Sequence, residues 1–220
     1  MSETVLIPGG RDVRASLDSA AGDSDEPGGD ASDGGDPEAD AIVVACPPHP
    51  QHGGHRSDER LTAASDALTE RGVDCLRFDY GDWDEGYGES TDADNAVAWA
   101  VERYERVGLF GFSFGATVAL ATAASRPGLA GVCALAPTAR LNPDVDAVAA
   151  LDDLVDLGVN ARILYATRDS TADWEPVVER AEALGIETEA FKSDHFFIGR
   201  ASDVGERVAA VFRPRLQDDL

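Results

Sequence analysis

Basic side chains are scarce in this 220-residue chain. Asp and Glu number 42 against 18 Lys and Arg, which gives a formal net charge of −24, and Lys192 is the only lysine. Nucleic acids bind to basic surfaces, so we expect no nucleic-acid partner. Residues 18–40 hold 9 acidic side chains, but removing them still leaves 33 acidic against 18 basic residues, or −15. The acidity therefore extends to the folded part, and we expect the protein to need high salt, as proteins of salt-accumulating cells do.

Long apolar runs and paired cysteines are also missing. No stretch approaches the roughly 20 apolar residues of a membrane helix, and the start MSETVLIPGG lacks the features of a signal peptide. We therefore expect a cytoplasmic protein without a membrane partner. The cysteines, Cys46, Cys75 and Cys133, are odd in number and lie far apart in apolar runs, which indicates buried free thiols.

The length suits a single domain over residues 1–220. Near the start, TVLIPGGRDVRASLD reads as an edge hairpin around a Gly-Gly turn. Residues 18–40 contain five glycines, two prolines and no aromatic residue. Such a segment buries too little apolar surface to offset its ordering entropy, so we predict a disordered acidic loop.

From residue 41 onward, short apolar runs alternate with segments of helical periodicity. This rhythm predicts a mostly parallel sheet with helices on both faces. The predicted strands are 41–46, 73–80, 106–112, 129–137, 161–167 and 186–191. The predicted helices are 58–72, 92–105 with Asp92 as a cap, 116–126, one that starts near 145, 174–185 and 201–216. Functional groups in such folds lie on loops beyond the carboxyl ends of the strands.

The pentapeptide GFSFG, residues 111–115, lies between a predicted strand and a predicted helix. A serine at the tip of so sharp a turn, flanked by Gly111 and Gly115, matches the G-x-S-x-G pattern of a nucleophile elbow. Small flanking residues avoid collisions with neighbouring elements, and the helix N-terminus places amide N–H groups beside the serine oxygen. Ser113 is therefore the candidate nucleophile, although a serine in an ordinary tight turn is the simpler alternative.

A serine nucleophile needs a base, and the chain has four histidines: His49, His52, His55 and His195. His195 follows the last predicted strand, and Asp169 follows the strand before it. Ser113, Asp169 and His195 thus all lie just after predicted strands, where functional groups of such folds are found. Asp173 and Asp194 are weaker candidates for the acid, because the first is expected to cap a helix and the second to shape the loop around His195.

The order Ser113, Asp169, His195 and the elbow GFSFG resemble the α/β-hydrolase superfamily. The segments HPQHGG (49–54) and DHFF (194–197) resemble those of small single-domain, dienelactone-hydrolase-like or esterase-like members. This resemblance covers residues 41–216. It implies an α/β-hydrolase fold without a lid domain and no cofactor or metal. It also implies that Ser113 attacks a carbonyl, His195 shuttles the proton and Asp169 holds the imidazole.

The resemblance also implies an oxyanion hole formed by the backbone N–H groups of Phe114 and Gln51, with His52 as an alternative to Gln51. His49, Trp83 and Tyr87 are candidate substrate contacts, since the loop GDWDEGYGEST (81–91) resembles, in lengthened form, a glycine-rich turn of the family. The alternative to substrate contact is that these aromatic rings pack against the loop of His49, His52 and His55, which we call the histidine loop. A zinc site built on the three clustered histidines is a weaker hypothesis, because their spacing is not H-E-x-x-H.

The sequence thus predicts a serine hydrolase that acts on a carboxylic ester or related acyl bond of a small molecule. Dienelactone-type or peptidase activity with the same residues is the enzymatic alternative. A nonenzymatic binding domain on the same scaffold is an alternative of another class. A nucleotide-binding protein is disfavoured, because the chain lacks G-x-x-x-x-G-K-[ST].

Overall fold

Strands and helices alternate along the chain and build one mixed sheet, as the sequence predicts. A computed structural model describes residues 2–20 and 39–216, with side chains described as far as residue 212. The eight strands of the main sheet are β1 (Ser2–Ile7), β2 (Val13–Asp18), β3 (Ala41–Cys46), β4 (Asp74–Phe78), β5 (Arg106–Phe112), β6 (Gly131–Leu135), β9 (Ala161–Ala166) and β10 (Glu187–Phe191). Two short strands, β7 (Arg140–Asn142) and β8 (Val145–Asp146), form a separate hairpin.

The main sheet has the order β1-β2-β4-β3-β5-β6-β9-β10. Strand β2 runs antiparallel to both β1 and β4, and the remaining neighbours are parallel. The helices are α1 (Glu59–Thr69), α2 (Tyr87–Val101), α3 (Phe114–Ala124), α4 (Ala147–Leu157), α5 (Glu175–Ala183) and α6 (Ala201–Leu216), with a short 3-10 helix at Pro50–His52. None of the helices in residues 2–20 and 39–216 has the length and apolarity to cross a bilayer.

The central strands are covered on both faces. Strand β3 is buried over its whole length, and its side chains alternate between two cores. Ile42 and Val44 pack in the core shared with α2, α3, α4 and α5, whereas Val43 and Ala45 pack in the core shared with α1 and α6. Burial on both faces explains why this strand is a continuous apolar run in the sequence.

Helix α2 differs from its predicted bounds. It begins at Tyr87 rather than at residue 92, and Gly86 precedes it in a left-handed conformation with φ of 95°. Asp92 is therefore not a cap but a fully buried residue within the helix. The glycines around Tyr87 lower the helix propensity of this stretch, which hides the true start of the helix from the sequence pattern.

The boundary predicted for the acidic loop at residues 18–40 is also wrong at its start. Strand β2 extends through Asp18, whose carboxylate accepts hydrogen bonds from Arg77 Nε at 2.6 Å and Ser65 Oγ at 2.6 Å. The Ala20 N–H then donates to Asp74 Oδ1 at 2.8 Å. Residues 21–38, which form most of the predicted loop, lie outside the described residues.

Candidate active site

Ser113 occupies a sharp turn between β5 and α3. Its φ of 57° and ψ of −120° lie in a backbone region that costs a non-glycine residue about 1–3 kcal/mol. Glycine is needed at both flanking positions, because any side chain there would collide with backbone atoms. A Cβ on Gly111 would lie 2.1 Å from the Gly115 carbonyl oxygen, and a Cβ on Gly115 would lie 2.3 Å from the carbonyl oxygens of Cys46 and Pro47. The turn thus presses the start of α3 against the end of β3 and leaves the serine at the tip.

The structure brings Ser113, His195 and Asp169 together in one chain of hydrogen bonds. Ser113 Oγ lies 2.9 Å from His195 Nε2, and His195 Nδ1 lies 2.6 Å from Asp169 Oδ2. These three residues follow β5, β10 and β9, whose carboxyl ends meet at one edge of the parallel sheet. The Asp169 side chain is fully buried and that of His195 is 6% exposed.

Asp169 is fixed by its own loop. Its Oδ1 accepts hydrogen bonds from the N–H groups of Thr171 at 2.8 Å and Ala172 at 3.0 Å. The Trp174 indole N–H donates to the Asp169 carbonyl oxygen at 3.2 Å. With Oδ1 engaged, Oδ2 is left to accept the Nδ1 proton of His195. An imidazole that donates from Nδ1 in this way presents Nε2 as an acceptor to the serine hydroxyl.

The loop that carries His195 is held by rings and by one arginine. The imidazole lies against Phe112, with ring centroids 5.4 Å apart, and against Phe196 at 5.5 Å. Arg60 lies over the Phe112 ring at 4.5 Å, and its Nη1 donates to the Phe196 carbonyl oxygen at 3.2 Å. Asp194 shapes this loop, since its Oδ1 accepts the Phe196 N–H at 3.1 Å.

The two predicted oxyanion donors differ in their surroundings. Phe114 is the first residue of α3, where a backbone N–H has no acceptor within the helix. The Gln51 N–H instead donates to His49 Nδ1 at 3.2 Å inside the 3-10 helix. The alternative donor, the His52 N–H, bonds to the His49 carbonyl oxygen at 3.0 Å. Phe114 is thus placed next to Ser113 with its N–H available, whereas both candidates on the histidine loop are occupied.

His49, Trp83 and Tyr87 lie together on a groove of about 430 Å³, which Phe114 also lines. We call this the aromatic groove; its other lining residues are Glu85, Leu141, Asn142 and Pro143. The His49 ring stacks on Trp83, with centroids 4.6 Å apart, and lies 5.0 Å from the Phe114 ring. Trp83 therefore both lines the groove and packs on the histidine loop. Burial, together with the nearby His52, lowers the pKa of His49, which keeps it neutral at pH 7.

Three residues that were not predicted to belong to the site support the groove wall on the side away from the groove. Buried Glu89 accepts the N–H groups of Asp84 at 3.0 Å and Gly86 at 2.8 Å. Buried Asp92 accepts the Gly81 N–H at 2.9 Å and Arg11 Nε at 2.7 Å. Arg11 comes from the turn between β1 and β2, far away in sequence.

The opposite wall comes from the β7–β8 hairpin, whose second strand falls within the helix predicted to start near residue 145. Leu141, Asn142 and Pro143 of this hairpin line the groove, and Asn142 Nδ2 donates to the Glu85 carbonyl oxygen at 2.9 Å. The Asn-Pro-Asp run at 142–144 was the available turn signal, because such residues favour hairpin turns.

The histidine side chains of the histidine loop stack as rings rather than converging as metal ligands. The rings of His49 and His52 stack with centroids 4.4 Å apart. Within residues 2–20 and 39–216, no three His, Cys, Asp or Glu side chains converge as a metal site requires. Cys46, Cys75 and Cys133 are buried free thiols, and burial raises the pKa of Cys75 and of Cys133 to about 12. Thiols that stay protonated at neutral pH are poor nucleophiles, so Ser113 has no competitor among them.

The chain resembles several known proteins. No family model matches its sequence. An uncharacterized protein of Rickettsia prowazekii is 26% identical over 189 residues, which cover 81% of this chain and 78% of that protein. An α/β serine hydrolase without a lid from Xanthomonas campestris has a TM-score of 0.76 and 22% identity, covering 100% of this chain and 97% of its own. A dienelactone hydrolase from Anabaena variabilis has a TM-score of 0.73 and 17% identity, covering 99% of each chain.

The strand order, the helices on both faces and these structural likenesses agree with one another. This chain has the α/β-hydrolase fold.

Proposed function

We propose that the protein is a serine hydrolase that cleaves a carboxylic ester or related acyl bond of a small molecule, without a cofactor. The observation that carries this proposal is the hydrogen-bonded chain from Ser113 through His195 to Asp169. A solvated loop serine has no need of a strained backbone, an aligned imidazole and a buried carboxylate at the same time. Together they form the set that activates a serine hydroxyl.

The first half of the reaction forms an acyl-enzyme. Ser113 Oγ attacks the carbonyl carbon, and its proton passes to His195 Nε2. Negative charge moves to the carbonyl oxygen, where the Phe114 N–H is placed to donate. Asp169 stabilises the imidazolium without taking its proton. His195 then gives that proton to the departing alcohol oxygen as the carbon–oxygen bond breaks.

The second half repeats the same steps with water as the nucleophile. Water loses a proton to His195 Nε2 and attacks the acyl carbon. The bond to Ser113 Oγ breaks, and the proton returns to that oxygen. The acid product leaves, and the enzyme is restored. A second oxyanion donor from the histidine loop requires either the Gln51 N–H to leave His49 Nδ1 or the His52 N–H to leave the His49 carbonyl oxygen during these steps.

The alternatives use the same residues. A similar structure is named a dienelactone hydrolase, which supports lactone cleavage as a second enzymatic candidate. A peptidase would need to protonate a poorer leaving group, and a panel of matched esters, lactones and amides separates these activities. A binding domain without activity would have no use for the serine–histidine alignment.

The acidic composition supports a working environment of high salt inside the cell. Self-repulsion of a net charge of −24 is weakened at molar ionic strength, where the Debye length is about 3 Å. We expect the melting temperature to rise between dilute and molar KCl. A melting curve that is the same in both would contradict this part of the proposal.

The hydrolase proposal is tested by intact-mass spectrometry after treatment with a fluorophosphonate in molar KCl. Wild type should gain one adduct, and Ser113→Ala should gain none. Ser125→Ala is the matched control, because Ser125 lies exposed at the end of the same helix and its hydroxyl donates to the Thr122 carbonyl oxygen. A folded wild-type protein without an adduct would favour the binding-domain alternative.

A further inference from the structure

The aromatic groove is lined by Phe114, the residue that follows Ser113, and its charged groups are of one sign. Glu85 is the acidic residue that lines it, and His49 is neutral at pH 7 because burial lowers its pKa. No Lys or Arg of the described residues lines this groove. We propose that the groove selects a cationic, ammonium-like group of the substrate over a neutral group of the same shape, and rejects an anionic one. This inference rests on the proposed function, because it assigns the substrate class of the same site.

The rings of the groove suit a cation. Trp83 and Tyr87 contribute ring surface to the groove, and the Trp83 ring is fixed by its stacking on His49. Indole and phenol faces attract ammonium groups that come within about 6 Å of the ring centre. The same faces accept a neutral apolar group through burial alone, but they offer nothing to a carboxylate.

The backbone of Glu85 gives a second, independent argument. Its φ of 53° is a left-handed conformation that favours glycine, asparagine or aspartate over glutamate. Strained positions of this kind cluster at ligand sites. Asn142 Nδ2 donates to the Glu85 carbonyl oxygen at 2.9 Å and so fixes this conformation from the other wall of the groove.

The arginines near the groove walls do not neutralise Glu85. Arg11 is committed to Asp92 and to the Asp82 carbonyl oxygen. Arg140, in the opposite hairpin, pairs with Asp146. The Glu85 carboxylate is therefore left as the charge that an incoming group meets at the rim of the groove.

The test compares three ligands of nearly equal shape as protectants of Ser113 against a small fluorophosphonate. They are choline, 3,3-dimethylbutan-1-ol and 3,3-dimethylbutanoate, which carry a positive, zero and negative charge. The experiment uses the lowest KCl concentration at which the protein is folded. Choline should protect at a concentration about fivefold lower than the neutral alcohol, as expected for a cation over exposed rings. The butanoate should protect least.

Variants separate the contribution of the Glu85 charge to choline binding from that of the aromatic rings. The choline preference is the protective concentration of the alcohol divided by that of choline. Glu85→Gln should lower this ratio at the lowest KCl concentration at which the protein is folded and leave it unchanged in molar KCl, where the carboxylate is screened. Trp83→Leu should lower the ratio in both. Asp156→Asn is the control, because it removes an equal charge from an exposed residue near the end of α4 and should leave the ratio unchanged.

Two results would overturn the inference. One is a wild-type protein that choline protects no better than the neutral alcohol. The other is a ratio that neither Glu85→Gln nor Trp83→Leu changes. In both cases the adduct at Ser113 still forms, so the proposed function stands. A folded protein without any adduct is a failure of the proposed function and is seen before any protectant is added.

Discussion

The two sides of Ser113 are built in different ways. On the His195 side, the side chains are buried and follow directly from parallel strands, and backbone N–H groups fix Asp169 at 2.8 and 3.0 Å. On the groove side, the walls are a loop and a short hairpin, and the residues by which they line the groove are half-buried or exposed: Trp83, Glu85, Leu141, Asn142 and Pro143. The loop is held by hydrogen bonds to Glu89, to Asp92 and to Arg11 of the turn between β1 and β2. The proposed triad is therefore positioned by the central sheet, whereas the proposed substrate groove depends on peripheral elements.

Asp169→Asn should show the largest effect, because it acts on the central side. An amide can present a donor to His195 Nδ1, which favours the tautomer with its proton on Nε2 and leaves Ser113 without a base. We expect kcat/KM to fall about 10³–10⁴-fold, as activity falls in other triads when the imidazole is held in the wrong tautomer. The fluorophosphonate labelling rate should fall with it.

The control for this variant is Asp173→Asn, an exposed acid four positions further along the same loop. It should keep full labelling. Activity of Asp169→Asn within tenfold of wild type would mean that His195 does not depend on this carboxylate.

Gly115→Ala should have the next largest effect, because it distorts the turn that carries Ser113 without removing a member of the proposed triad. The new Cβ would lie 2.3 Å from the Cys46 and Pro47 carbonyl oxygens, so the start of α3 must move. A shift of about 1 Å in a catalytic group can cost about 10² in rate. We expect a loss of that size in labelling, measured as the second-order rate constant.

Ala121→Gly in the same helix controls for lost stability, since glycine costs about 1 kcal/mol in a helix interior without touching the turn. Its labelling rate should stay near that of wild type. Equal labelling by Gly115→Ala and wild type would show that the contact with β3 is not needed to position Ser113.

The same contrast explains what the sequence could predict. The approach of Ser113, Asp169 and His195 to one another could be predicted because each lies in the loop after a strand, and strand ends in a parallel sheet converge. Arg11 could not, because its partner Asp92 lies 81 positions away and nothing local marks either residue as part of one cluster. The β7–β8 hairpin was not predicted because its strands are only three and two residues long, too short to show an alternation of apolar and polar residues.

Arg11→Met tests the support of the groove wall. It leaves the fully buried Asp92 carboxylate without its cation, which should lower the free energy of unfolding by about 3 kcal/mol at pH 7. Choline should protect Ser113 about tenfold less well if a loosened wall loses roughly 1.4 kcal/mol of binding, while labelling without a protectant changes little. Arg14→Met is the control, because Arg14 is 64% exposed and lies 4.0 Å from Asp12.

The stability loss in Arg11→Met should depend on pH in a defined direction. Burial already raises the pKa of Asp92 above its ordinary 3.8, although Arg11 opposes that rise. An acid with a raised pKa in the folded state binds its proton more tightly there, so it destabilises the fold as pH rises through that pKa. Losing Arg11 raises it further, and the destabilisation should therefore be smaller near pH 4 than at pH 7. A loss that is independent of pH would mean that Asp92 does not carry the effect.

Asp18→Asn should give the smallest effect and should leave the groove untouched. Burial acts to raise the pKa of Asp18, but hydrogen bonds from Arg77 and Ser65 outweigh it and leave the pKa below 3.8. A lowered pKa stabilises the folded state above pH 3.8, and this contribution disappears as pH falls through the folded-state value. We expect the variant to unfold about 1–2 kcal/mol more easily at pH 7 and to approach wild type in strong acid, as chemical denaturation would measure.

Labelling of Ser113 and protection by choline should both be unchanged in Asp18→Asn. This outcome would separate global stability from groove geometry, because Asp18 and Arg11 both lie in the N-terminal hairpin region and only Arg11 contacts the groove wall. Weaker protection in Asp18→Asn as well would mean that any loosening of the hairpin reaches the groove. The hairpin as a whole, rather than one arginine, would then determine what the site binds.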